Sequence, residues 1–381
     1  MHTAIQLTRD LVQIPSVNPY GNEKECADYI LKWLEGIEGI SVKVQSVEEH
    51  RNNIIIKYPC EHSSLPPLVI ISHMDTVPAE GEWSVGPYSG EIIDGKLYGR
   101  GSCDMKSGLA STLVALKELA ESKTEVKRDI YVIASVDEEG PYMKGAVALI
   151  EDGIVPEDAH FLATEPTSLT LSKVHKGTIW YKITVIGKSS HCGNAKLGID
   201  AAHAAAECIT DLKRNVSKLE YNHEIFGEPT LSVGTIHGGE KTNMVSGSVQ
   251  FEIDFRLVPP MTQEEAEKIV EQSLKQGCAR VTGSNFKIEQ FGFARIPLES
   301  DENSNLLARI EHAYEASFQT DIGHSGFPAY TDVAMIGLKT GNKNIAVFGP
   351  GNLEQAHMID EYVEVQQIID CVTVLKKLME S

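Results

Sequence analysis

Three runs, LVIIS at 68–72, DIYVIASV at 129–136 and HFLAT at 160–164, are apolar along nearly their whole length instead of at every second residue. A strand with one face in water alternates; a strand that is apolar on both faces must be covered on both. Around these runs lie segments with helical spacing. They are AIQLTRDLVQI, KECADYILKWLEGI and MKSGLASTLVALKELAES (105–122), the last with Leu109, Leu113, Leu116 and Leu119 on one stripe, followed by the short AVALIEDG. Strands separated by helices predict an α/β domain, a mixed, largely parallel sheet with helices on both faces.

The pattern changes near residue 176. TIWYKITVIG has period-2 character, IDAAHAAAECITDLKRNVSKLE is a long helix, and TLSVGTI and SVQFEIDFRL are strands. TQEEAEKIVEQSLKQ is a second helix and FKIEQFGF a last strand. That order, β-α-β-β-α-β, is the ferredoxin-like α+β arrangement. It predicts an inserted domain over 176–289. The α/β pattern resumes after it with NSNLLARIEHAYEASF, NIAVFGPG and VEVQQIIDCVTVLKKLME. The first domain is therefore built from 1–175 and 290–381, and 381 residues suffice for two cores.

Acids and histidines recur where the strands end. His73 and Asp75 follow LVIIS; residues two apart in an extended chain point the same way, so the pair leaves the strand side by side. Asp137, Glu138 and Glu139 follow DIYVIASV, Glu165 follows HFLAT, and His357 lies just past NIAVFGPG. Asp104 sits between LYGRGSC and a helix. In open α/β sheets ligands bind outside the carboxyl ends of the strands. Taken singly, Asp104 reads as a helix cap, the DEE run as a solvated turn, Glu165 as a loop carboxylate and His357 as a surface histidine. Taken together, two imidazoles and three carboxylates, one of them bridging, make a mixed N/O site for two divalent ions, Zn2+ first, with Co2+ or Mn2+ also suited. Of the neighbours Glu138 and Glu139, one can bind metal while the other acts as general base on water.

Charge and cysteine usage bound the remaining classes. A formal net charge of −20 argues against a nucleic-acid partner. No stretch approaches 18 apolar residues, and the amphipathic N-terminus with Arg9 and Asp10 lacks the pattern of a signal peptide. Seven scattered cysteines without a C-x-x-C suit a reducing cytoplasm.

Along its whole length the sequence resembles the di-zinc aminoacylase/carboxypeptidase family, which includes acetylornithine deacetylase, succinyl-diaminopimelate desuccinylase, aminoacylase and glutamate carboxypeptidase. SHMDTVP, LYGRGSCDMKSG, SVDEEG, ATEPT and GPGNLEQAHMIDEYV carry the resemblance, in order. It implies His73, Asp104 and Glu165 on one metal and Asp104, Glu139 and His357 on the other, with Asp75 orienting His73 and Glu138 as general base. The inserted domain resembles the family's lid, which usually dimerises. His191 in GKSSHCGNAKLGIDAA resembles the lid histidine that reaches a neighbouring subunit's site to stabilise the oxyanion. The family commonly has Ser-Ser after this histidine and Pro four residues on, whereas Cys192, Gly193 and Ala195 stand here. Asn243 and Arg256 resemble lid residues that hold the substrate carboxylate; on residue type alone Arg256 equally suits an ion pair with Asp254.

The resemblance implies a two-metal amidohydrolase that removes a small N-acyl group from an amino acid. EPTSL…HKG, IHGGEKTN and DFRLVPPMT look most like acetylornithine deacetylase, and DEEGPYMKGA like the desuccinylase. Dipeptidase or carboxypeptidase activity is the alternative within the family. A non-catalytic metal- or ligand-binding protein would tolerate loss of the base, and Glu138 is intact. A two-metal phosphoesterase would need a basic or Gly-rich phosphate cradle, which these motifs lack. The expected partners are a small N-acyl amino acid or dipeptide and a second copy of the chain, with no nucleic acid and no membrane.

Overall fold

A computed structural model describes residues 2–20, 23–63 and 65–381. The chain divides into two compact units, Met1–Val174 with Glu299–Ser381, and His175–Leu298.

The first unit is built on a nine-stranded mixed sheet. From one edge its order is Ser41–Glu48, Arg51–Tyr58, Ile130–Ser135, Leu68–His73, His160–Ala163, Ile345–Val347, Leu171–His175 and Leu298–Glu299, with His324–Phe327 also pairing with Leu171–His175. The four strands from Ile130–Ser135 to Ile345–Val347 are parallel, and antiparallel strands flank them. All six residues of Leu68–His73 are buried, which is what a strand covered on both faces requires. Leu68 and Ile70 join the core formed by helices Thr3–Val12, Ser107–Glu121, Asn305–Phe318 and Val365–Glu380, while Val69 and Ile71 point to the other face. On that other face Lys144–Glu151 packs against Asp332–Thr340.

Several elements carry no clear trace in the sequence. The hairpin Ser41–Glu48/Arg51–Tyr58 has a largely exposed outer strand, so its apolar residues do not alternate cleanly with its core face. The helix Asp332–Thr340 is short and almost wholly buried at its start, which removes the amphipathic stripe. The helix expected over 105–122 begins at Ser107. Residues Ser102–Lys106 form an irregular turn in which Asp104 and Met105 leave helical φ/ψ. Asp104 therefore does not cap the helix, whose start has no side-chain cap.

The second unit holds a four-stranded antiparallel sheet in the order Thr230–Gly238, Ser248–Leu257, Gly177–Ile186 and Asn285–Arg295. Helices Ala201–Val216 and Gln263–Ala279 pack together with its apolar face. Strict alternation of buried and half-buried residues in Ser248–Leu257 follows from one covered face. The unit runs past the 289 expected from sequence because its last strand continues to Arg295, through Phe291-Gly292-Phe293 with a register shift against Gly177–Ile186. The second helix is capped at its N-terminus by Thr262, whose side chain accepts the Glu265 N–H while the Glu265 side chain accepts the Thr262 N–H, a capping box.

Candidate metal centre

The site lies in the first unit, at the ends of its parallel strands. His73 is the last residue of Leu68–His73 and is buried. Its Nδ1 lies 2.9 Å from the backbone carbonyl of Asp75, which assigns the neutral ring's proton to Nδ1. Its Nε2 then turns a lone pair toward Asp104 Oδ1 at 3.1 Å, with Glu165 Oε1 at 3.8 Å and Glu138 Oε2 at 3.9 Å. Asp104 Oδ2 lies 3.5 Å from His357 Nε2, and Glu139 Oε1 lies 3.0 Å from the same nitrogen. Two groups of three ligand atoms result, His73–Asp104–Glu165 and Asp104–Glu139–His357, each within 4.8 Å and sharing Asp104.

This arrangement asks for cations. A neutral imidazole lone pair facing a carboxylate oxygen at 3.1 Å is repulsive unless a proton or a metal ion stands between them. Burial works against a charge on His73, but the carboxylates of Glu165, Asp104 and Glu138 outweigh it and hold the imidazolium well above its ordinary range. Hydrogen bonds to Asp104 and Glu139 push His357 up to about 10. Burial pushes the carboxyls of Glu138, Glu139 and Glu165 up as well. Burial acts likewise on Asp104, yet the bonds from His357 and His73 hold it below the usual carboxylate range. The two groups sharing Asp104 offer carboxylate and imidazole, the donors that divalent ions take.

The supports of the cluster were less visible in sequence than its members. Asp75 meets the His73 ring through its backbone carbonyl, and its nearest carboxylate oxygen is at 3.7 Å. That carboxylate instead accepts the backbone N–H groups of Glu138 (3.2 Å) and Glu139 (3.1 Å), because the 137–140 turn wraps over it. Glu361, not singled out from sequence, is buried and does the same for Asp104. Its Oε1 accepts the N–H groups of Cys103 and Asp104, and its Oε2 pairs with Arg100 at 2.6 Å. The strand Tyr362–Glu364, paired to Lys96–Tyr98, puts it there.

His191, Asn243 and Arg256 lie in the second unit. Ser190–His191 pairs with Met244–Val245, and Cys192 N–H donates to the Asn243 carbonyl, so His191 and Asn243 are neighbours. His191 is exposed, and its Nδ1 accepts the N–H of Gly193 at 3.0 Å, leaving Nε2 to carry the neutral ring's proton. Arg256 Nε and Nη2 both reach Asp254 at 2.8 Å, the ion pair its residue type equally suited.

A model of the peptidase family M20/M25/M40 matches residues 69–381. A probable succinyl-diaminopimelate desuccinylase of Staphylococcus aureus is 29% identical over 98% of this chain and 96% of its own length. An acetylornithine deacetylase of Proteus mirabilis is 28% identical over 100% of this chain and 96% of its own. The crystal structure of an M20 family metallo-carboxypeptidase from Sulfolobus solfataricus superposes with a TM-score of 0.81 at 17% identity, covering 100% of this chain and 99% of that one.

Proposed function

The chain belongs to the M20/M25/M40 peptidase family and is a metal-dependent hydrolase of the deacylase and peptidase kind; from that premise we propose that it removes a small N-acyl group from an amino acid, as acetylornithine deacetylase does. The observation that carries this reading is the pair of ligand groups sharing Asp104, with the carboxylate of Glu138 beside them. His73, Asp104 and Glu165 would hold one divalent ion, Zn2+ in our reading, and Asp104, Glu139 and His357 the other. When bound, the ions supply Lewis acidity that polarises the amide carbonyl and acidifies water. Glu138 takes the proton from the attacking water and returns it to the leaving amine nitrogen, so the amide and one water become a carboxylate and a free amine. Its carboxyl is held up by burial, which suits a group that must both accept and give that proton.

The second unit's part is as follows. His191 donates from Nε2 to the oxygen that gains charge, and Asn243 and Arg256 hold the substrate's α-carboxylate, Arg256 with the Nη1 edge outside its pair with Asp254. The protein acts as a cytoplasmic homodimer joined through this unit, whose edge strand Thr230–Gly238 is mostly exposed and unpaired along its outer side among the described residues. His191→Ala is expected to lower kcat by about 10²–10³-fold. Mixing His191→Ala with Glu138→Ala after subunit exchange should restore part of the activity, because one site of each heterodimer then has both groups. Exchange without recovery would leave His191 acting within its own chain or not at all.

The test of the function is a panel of N²-acetylornithine, N-succinyl-diaminopimelate, N-acetylmethionine and a simple dipeptide, compared by kcat/KM. The reading expects N²-acetylornithine or a close N-acetyl amino acid to lead. A decisive preference for the succinyl compound moves the protein to the desuccinylases, and preference for the dipeptide makes it a peptidase.

A further inference from the structure

The Asp75 carboxylate that holds the Glu138 and Glu139 N–H groups is itself the end of a longer chain of contacts. Its Oδ2 accepts the side-chain amide of Asn18 at 2.8 Å, and the same NH2 group donates to Asp137 Oδ1 at 3.1 Å. Asp137 Oδ1 also pairs with Arg51 Nη1 at 2.9 Å. Arg51 in turn grips Glu23 through Nε, at 2.9 and 3.1 Å, and through Nη2. All five side-chain bearers are buried. The turn they grip is tightly set. Asp137 is in the left-handed region at φ 63, its Oδ2 accepts the N–H of Lys144, and a Cβ on Gly140 would stand 2.3 Å from its Oδ1.

Buried carboxylates stay charged and in place only when a cation and donors face them. Glu23, Asp137 and Asp75 are three such carboxylates, and Arg51 is the guanidinium set between two of them. Its planar fork fixes direction as well as charge. Asn18 spends its two amide hydrogens on two different carboxylates and so transmits the position of one to the other. Without Arg51, Asp137 and Asp75 would repel across Asn18, directly beneath the turn that carries Glu138 and Glu139.

We propose that Arg51 is a positioning residue for the hydrolysis: through Asp137, Asn18 and Asp75 it sets the 138–139 backbone, and with it the carboxylates of Glu138 and Glu139. The inference rests on the reading of Glu138 as base and Glu139 as metal ligand. Asn18, Glu23 and Arg51 all precede residue 69, where the family match begins, so this support comes from the chain's own N-terminal part.

The experiment compares Arg51→Met, Arg51→Lys and the wild type by three readouts: kcat and KM on the best substrate of the panel, Zn2+ titration calorimetry on chelated protein, and Tm. Arg309→Met serves as control, since Arg309 is in the same unit but bonds Leu378 and Ser381. Arg51→Met should lower kcat and weaken one of two Zn2+ sites, each by about 10–100-fold, with KM little changed. Arg51→Lys should recover part of both, and Arg309→Met should lower Tm alone. Asn18→Ala should add less on top of Arg51→Met than it does by itself, because both act along one path. Arg51 variants with a lowered Tm but wild-type kcat and Zn2+ affinity would overturn the inference. If Arg51→Met does not fold, Arg51→Lys decides by the same readouts. A wild type that turns over nothing on the panel would sink the deacylase reading, and the Zn2+ titration would still decide the role of Arg51.

Discussion

Glu138→Gln is expected to bind two metal ions like the wild type and to lose about 10²–10⁴-fold in kcat. The substitution keeps the size and shape of the side chain, so the packing of a nearly buried group is preserved. The turn is held by backbone N–H groups on Asp75, which the substitution does not touch. Glu138 belongs to neither ligand group. What is lost is the ability to accept a proton, since an amide oxygen is a far weaker base than a carboxylate. KM should change little, because the carboxylate is assigned no contact with the substrate before the proton moves. Rates measured beside metal content decide the matter. Near-normal turnover in the variant would move the base to another residue.

Asp104→Ala should do more damage to metal binding than any other single change in the cluster. Asp104 is the one residue in both ligand groups, with one oxygen toward each histidine. Its removal leaves each group two ligands, whereas Glu165→Ala or His357→Ala strips one group and spares the other. The loss of affinity should exceed the roughly 10–100-fold typical of removing an outer partner, and should appear at both sites. Calorimetric titration of the three variants with Zn2+ separates the cases. A variant lacking Asp104 that still fills two sites tightly would remove it from the bridging position.

The sheet was readable because burial on both faces leaves an unmistakable mark, an apolar run such as Leu68–Ile71 that ends abruptly in polar residues. Parallel pairing then sends successive strand ends to one side, which is why His73, Glu139 and Glu165 could be grouped from chain order alone. The contacts that hold those residues were not readable. The Arg51–Asp137 and Arg100–Glu361 pairs join residues 86 and 261 positions apart along the chain, and an ion pair leaves no periodicity. Arg51 also lies in a hairpin whose outer strand is exposed and shows no core pattern. Asp104 before a helical stretch looks like a cap on local chemistry; only the long-range approach of His73 and His357 draws its carboxylate away. Asp75 shows the same limit at shorter range. The alternation of an extended chain puts it beside His73, but which of its oxygens meets the ring depends on the turn arriving from residue 137.

The central claim is that two divalent ions, held by residues sharing Asp104, are needed for hydrolysis of an N-acyl amino acid. The most direct measurement strips the protein with a chelator, then adds Zn2+ in steps while following both binding and turnover of N²-acetylornithine. The account predicts no turnover in the stripped protein, recovery on adding metal, and binding that saturates at two ions per chain. Full turnover by the stripped protein, or saturation at a single ion with full activity, would contradict it.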